Sequence, residues 1–134
     1  MPLNPDQQRM LINTAISARE WAYAPYSHYA VGAALLTASG KVYEGANIEN
    51  AAYPTTMCAE RVAIFKAVSE GEREFTAIAV ATENGGSPCG SCRQVLAEFG
   101  LQTLVIVVDV DGVIHLEGTV EKLLPTAFTP DDLI

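Results

Sequence analysis

Three cysteines are all that the chain contains, Cys58, Cys89 and Cys92. They fall in two short motifs, Cys58-Ala59-Glu60 and Pro88-Cys89-Gly90-Ser91-Cys92, each at a point where a loop is predicted to run into a helix. Three thiolates converging on one ion leave a tetrahedral zinc with its fourth position open to water, as in catalytic sites and unlike closed structural ones. Zinc brings the pKa of such a water toward about 7. Protons must still be moved, and Glu60, two residues after the first cysteine and not needed as a ligand, is placed to carry one from water to substrate. Three thiolates on a dication leave the centre formally negative. Two helix N-termini, with Arg61 or Arg93 donating to sulfur, are the expected offsets.

Each of these residues also has a plainer reading. One cysteine alone is more often core than ligand, and a lone Cys-x-x-Cys divides among metal, redox and incidental uses. Glu60 alone would be a first-turn partner of the helix dipole. The combination changes this, because Cys-x-Glu followed at a distance by Pro-Cys-x-x-Cys is the ligand and proton-carrier signature of zinc deaminases. A purely structural zinc in a binding module would need a fourth ligand. No fourth cysteine exists, and His28 and His115 lie at no ligand spacing and read as surface residues.

Beyond the signature, the chain resembles the small homotetrameric cytidine deaminases from about the first helix to Phe128. The likeness lies in Tyr23-Ala24-Pro25-Tyr26-Ser27, Val31-Gly32-Ala33-Ala34-Leu35, Asn47-Ile48-Glu49-Asn50-Ala51 and Cys58-Ala59-Glu60-Arg61. It departs from the usual pattern at Tyr29, Val62 and Ser91, where phenylalanine, threonine and alanine are common. The resemblance implies one zinc per subunit and hydrolytic deamination of cytidine and deoxycytidine in pyrimidine salvage. It further implies that Asn47 and Glu49 hold the ribose hydroxyls, Tyr29 stacks near the base and Ala59 lends a backbone N–H. Tyr53 would lie close to the site, and Phe128 would reach a neighbouring subunit's pocket. Without the resemblance, Asn47 and Glu49 would more simply be loop caps.

At 134 residues the chain fits one domain, residues 1–134, with a core of its own. A formal net charge of −8 repels a phosphate backbone and argues against a nucleic-acid partner, hence against a polynucleotide deaminase. No apolar run is long enough for a membrane span and no basic leader precedes a cleavage site, so a cytoplasmic location is expected. Deaminases of a cytosine-containing antibiotic, a free base or a nucleotide are the remaining rivals. The Asn47 and Glu49 pair argues against the antibiotic.

The elements that must position these residues follow from local patterns. Asn4, Pro5 and Gln7 form an N-cap, a first-turn proline and a reciprocal cap, opening a helix that should end near Tyr23, before Pro25. Trp21 and Tyr23 read as packing groups first and subunit contacts second. Tyr29 to Thr37 is apolar on both faces, as in a central strand, and Val42 to Ala46 returns antiparallel after Ser39-Gly40. A helix over Ala59 to Glu70 carries Val62, Ala63, Phe65, Lys66 and Ala67 on its period and stops at Gly71. Phe75 to Ala81 is a third strand, and Thr82 to Pro88 a flexible connection. The stretch Gly90 to Phe99 is helical. Thr103 to Asp109 and Val113 to Glu117 pair antiparallel across Asp111-Gly112, before a short helix over Val120 to Leu123. The expected architecture is α/β, a three-layer α-β-α sandwich on a mixed five-stranded sheet.

Overall fold

Asn4 opens the first helix as its type and spacing require. Its side chain accepts from the Gln7 amide at 2.8 Å while the Gln7 side chain accepts from the Asn4 amide at 3.1 Å, satisfying two N–H groups that a helix start leaves without partners. This helix, α1 (Pro5–Ala18), is shorter than predicted: it tightens into a 3₁₀ turn over Arg19–Trp21. The chain leaves helical geometry there because the Tyr23 backbone pairs with the segment after the second strand, donating to Asn47 O at 2.9 Å and accepting from Glu49 N at 2.8 Å. Trp21 and Tyr23 accordingly point outward, 73% and 56% exposed, and are not the packing groups expected.

The computed structural model describes residues 3–133. Its sheet comprises β1 (Gly32–Thr37), β2 (Val42–Ala46), β3 (Phe75–Ala81), β4 (Leu104–Val108) and β5 (Ile114–Thr119), ordered β2-β1-β3-β4-β5. The β3–β4 pair is parallel and the other pairs are antiparallel, so the sheet is mixed as expected. Helix α3 (Gly90–Phe99) makes the crossover that a parallel pair needs. Helices α2 (Ala59–Ser69) and α4 (Val120–Leu123) complete the set.

Two apolar layers flank the sheet. Leu11, Ile12 and Ala15 of α1 pack on Ala34, Leu36, Ala77, Ala79 and Ile106. Ala33, Leu35, Ile78 and Val107 face the opposite way, against Ala63 and Ile64 of α2 and Leu96 and Ala97 of α3. These are the three layers of the predicted sandwich. Every residue of β1 is buried, as its run of small and apolar residues implies. On α2 the buried residues are Ala59, Glu60, Ala63, Ile64 and Ala67, whereas Phe65, expected on the apolar period, is exposed.

Both helix layers approach the sheet closely at a glycine. A Cβ on Gly32 would lie 2.0 Å from Ala15 O, and one on Gly45 would lie 2.2 Å from Ala59 O. Lacking side chains, these two positions let α1 and the start of α2 sit directly on the backbone. Among the described residues, no helix is long and apolar enough to cross a membrane.

Candidate active site

Helices α2 and α3 begin side by side, and their N-caps are Cys58 and Cys89. Neither side chain caps a backbone amide of its own helix, so each sulfur is free to point elsewhere. Cys92 follows in the first turn of α3, buried, while Cys58 is half-buried and Cys89 exposed. The Cys58 and Cys89 sulfurs lie 3.9 Å apart, and all three lie within 4.8 Å of one another. Zn–S bonds of about 2.3 Å at tetrahedral angles put sulfurs about 3.8 Å apart. The trio fits a single zinc ion per chain in both spacing and donor chemistry.

The negative charge of that trio is met at one corner. Arg61 Nη2 donates to Cys58 Sγ at 3.3 Å. Hydrogen bonding from the Cys92 thiol, joined by Arg61, brings the Cys58 thiol down to about 5 against the opposing effect of burial. The Cys92 thiol moves the other way, pushed up as the hydrogen-bond partner of Cys58 and by its own burial. Arg61 is in turn held more firmly protonated by its bond to Cys58. Arg93, the other expected offset, touches no sulfur. It donates to Pro88 O at 2.9 Å, Leu123 O at 2.6 Å and Ser87 Oγ at 3.1 Å; the expectation fails because the backbone before Cys89 captures its guanidinium first.

Glu60 occupies the first turn of α2 and is only 4% exposed. Burial raises its carboxyl above the usual carboxylate range, and the neighbouring Cys58 charge adds to the shift. Burial of this kind favours the protonated form, so the carboxyl can both hold and release a proton.

A cleft of about 450 Å³ opens beside the sulfurs and Glu60, and its walls include Tyr29, Asn47, Glu49, Ala59 and Gly86. Asn47 is buried and holds the wall: Oδ1 accepts from Val31 N at 2.9 Å and Nδ2 donates to Tyr29 O at 2.8 Å. One amide hydrogen and one lone pair remain for a ligand. The Glu49 carboxylate accepts from the Tyr26 and Ser27 amides at 3.0 and 3.1 Å and from the Ser27 hydroxyl. Ser27 is the main reason that its carboxyl lies below the usual range, so it remains an acceptor at neutral pH. The Tyr29 hydroxyl donates to Asn84 Oδ1 at 2.6 Å.

Tyr53 lines an adjoining recess with Tyr26, Glu49 and Thr56, its ring edge-on to Tyr26 at 5.8 Å between centroids. Phe128 lies outside this cleft, 56% exposed, with its carbonyl accepting from Gln94 Nε2 at 2.8 Å. Both histidines are exposed, and His115 pairs with Asp109 at 2.8 Å. Three residues of the site escape the sequence reading. Ser27 belongs to a quoted motif whose hydroxyl carries no spacing signal, while Asn84 and Gly86 lie in the stretch read as a flexible connection.

Fold and site together define a hydrolytic metal centre of the deaminase type, and comparison with known proteins makes this particular. Residues 5–108 match the model of the cytidine and deoxycytidylate deaminase zinc-binding region. A cytidine deaminase of Halalkalibacterium halodurans is 54% identical over 94% of this chain and 97% of its own length. One from Sporosarcina psychrophila is 54% identical over 92% of each. The crystal structure of cytidine deaminase from Burkholderia pseudomallei superposes with a TM-score of 0.86 at 47% identity, covering 90% of this chain and 98% of the other. The chain belongs to the cytidine and deoxycytidylate deaminase family.

Proposed function

We propose that the protein is a cytidine deaminase, hydrolysing cytidine and deoxycytidine to uridine and deoxyuridine with release of ammonia, as in pyrimidine salvage. The observation that carries this reading is the buried Glu60 carboxyl beside three convergent sulfurs, at the foot of a cleft that Asn47 and Glu49 line. Zinc held by Cys58, Cys89 and Cys92 supplies Lewis-acid activation of water near neutral pH.

Glu60 acts as the proton carrier. It takes a proton from the attacking water and delivers it to the ring nitrogen beside C4 of cytosine. It then takes the proton of the hydroxyl now on C4 and passes it to the amine, which leaves as ammonia while the C4 carbonyl forms. Arg61 steadies the Cys58 thiolate from outside the cleft. Glu49, ionised, accepts from the ribose hydroxyls, and Asn47 offers its remaining amide hydrogen to them, so that a free base lacking the sugar is discriminated against. The Tyr29 ring faces the base, and the Ala59 N–H contributes a donor at the start of α2.

Exposed Trp21, Tyr23, Tyr53 and Phe128 favour a homotetramer in which Phe128 enters a neighbouring copy's cleft and Tyr53 lies against it. Sedimentation at tetramer mass is the expected result, and a monomer refutes this part. The net charge supports a free nucleoside and water as the reacting partners over nucleic acid, and a cytoplasmic setting accords with reduced thiols. The deciding experiment measures ammonia release from cytidine, deoxycytidine, cytosine, dCMP and blasticidin. Turnover of the two nucleosides, abolished by a strong chelator, is expected; turnover restricted to the other three overturns the substrate assignment.

A further inference from the structure

The segment Thr82–Pro88 runs between the end of β3 and Cys89 without a strand ladder of its own. Its backbone must therefore be held by other groups, and two separate sets of contacts hold it. On the cleft side, Tyr29 Oη donates to Asn84 Oδ1 at 2.6 Å, and a Cβ on Gly86 would stand 2.8 Å from that same hydroxyl. The Gly86 amide donates to Thr82 Oγ1 at 2.8 Å, fixing the turn between them. Outside the cleft lining, the His115 ring lies so close to Gly85 that a Cβ there would be 2.4 Å from its Cγ and Cδ2. His115 Nε2 is 2.8 Å from Asp109 Oδ2, and Asp109 Oδ1 accepts from Asp111 N at 2.9 Å and Val113 N at 3.1 Å. The β4–β5 hairpin is thereby tied, through one imidazole, to the approach of Cys89.

We propose that the Tyr29 hydroxyl, Asn84 and His115 form a two-part brace on Gly85–Gly86 that sets the position of Cys89, which makes them positioning residues for the reaction. The proposal builds on the roles given above to Tyr29 and Cys89. It separates two parts of one side chain: the Tyr29 ring lines the cleft, while its oxygen ties two loops together. Two residues, Ser87 and Pro88, separate Gly86 from Cys89, so a shift in the glycine pair moves a metal ligand with little change at the ribose end. Loss of the brace should accordingly lower kcat and leave KM nearly unchanged.

The test compares the zinc-loaded wild type with Tyr29→Phe, Asn84→Ala, Tyr29→Phe/Asn84→Ala and His115→Ala. Four quantities are read: kcat and KM for cytidine, hydrogen exchange at the Gly86 amide, and the rate of zinc loss to a chelator. Tyr29→Phe is expected to lower kcat about fivefold, the size of one net hydrogen bond, with KM within about twofold and with faster exchange and zinc loss. Asn84→Ala should match it, and the double variant should be no worse than either alone. His115→Ala, outside the cleft, should reproduce the faster exchange and zinc loss. Gly86→Ala should be costly in the wild type and milder with Tyr29→Phe, where the opposing oxygen is gone. Additive effects, or unchanged exchange and zinc loss, overturn the brace. If the wild type fails to deaminate cytidine while exchange and zinc loss respond as described, the functional reading falls and the brace stands.

Discussion

Arg61 Nη2 reaches Cys58 Sγ at 3.3 Å from one turn further along α2, so a single helix carries both a metal-ligating thiol and the cation that stabilises its charge. Arg61→Ala removes that donor and leaves the sulfurs in place. Outer partners of metal ligands are typically worth about 10–100-fold in metal affinity or activity. Zinc should pass to a competing chelator at least about tenfold faster, or turnover should drop by a similar factor. Normal values for both would show that the charge is offset elsewhere.

Glu60→Gln keeps the shape of the side chain and removes its proton exchange. Turnover should fall by about 10²–10⁴-fold, the usual share of a general acid–base group. Metal analysis should still find one zinc per chain. Near-normal turnover with zinc retained would move the proton-transfer role to another group.

Asn47 spends half of its hydrogen-bonding capacity on its own wall, at Val31 N and Tyr29 O. Asn47→Ala should therefore lose stability as well as nucleoside affinity, by about 1–3 kcal/mol for unsatisfied buried groups. Asn47→Asp keeps the acceptor for Val31 but sets an oxygen against the Tyr29 carbonyl, so its denaturation midpoint should also fall below wild type. A midpoint for Asn47→Ala equal to wild type would contradict this.

Asp109 sets an acid limit on the β4–β5 hairpin. Its folded-state pKa lies below the ordinary 3.8, chiefly through the His115 hydrogen bond and then through the Val113 and Asp111 amides. A lowered carboxyl pKa contributes stability that is fully present above 3.8 and lost as pH falls below it. Asp109→Asn should flatten the acid side of the stability profile below about pH 4. An unchanged acid limb would remove Asp109 from the account.

Much of this architecture could be read from the residue order. The Asn4–Gln7 capping box, the doubly apolar β1 and the bounds of β3, α3 and α4 all follow from side-chain chemistry within a few positions. The cysteine motifs marked where the metal would lie. The less legible features depend on contacts distant in sequence. The first strand begins at Gly32 and not at Tyr29, because Asn47 ties Tyr29 and Val31 through its side chain in place of a ladder. Ile64 faces inward and Phe65 outward, a choice of helix phase made by the packing of α2 on the sheet. Arg61 and Arg93 were equivalent by type, and only the fold separates them.

The two glycine approaches described for the sheet also answer a question of alignment. A strand that is apolar on both sides can slide past its partners without exposing a polar residue, so alternation alone cannot specify β1. Gly32 pairs with Ala46 and Ala33 with Gly45, and the two glycines meet different helices. A one-residue slip would put Val31 or Ala33 in place of Gly32, or Glu44 or Ala46 in place of Gly45, and drive a side chain into Ala15 O or Ala59 O. These two notches index the hairpin against α1 and α2 as teeth index a ratchet, and the same click that seats the strand sets Cys58 at its station.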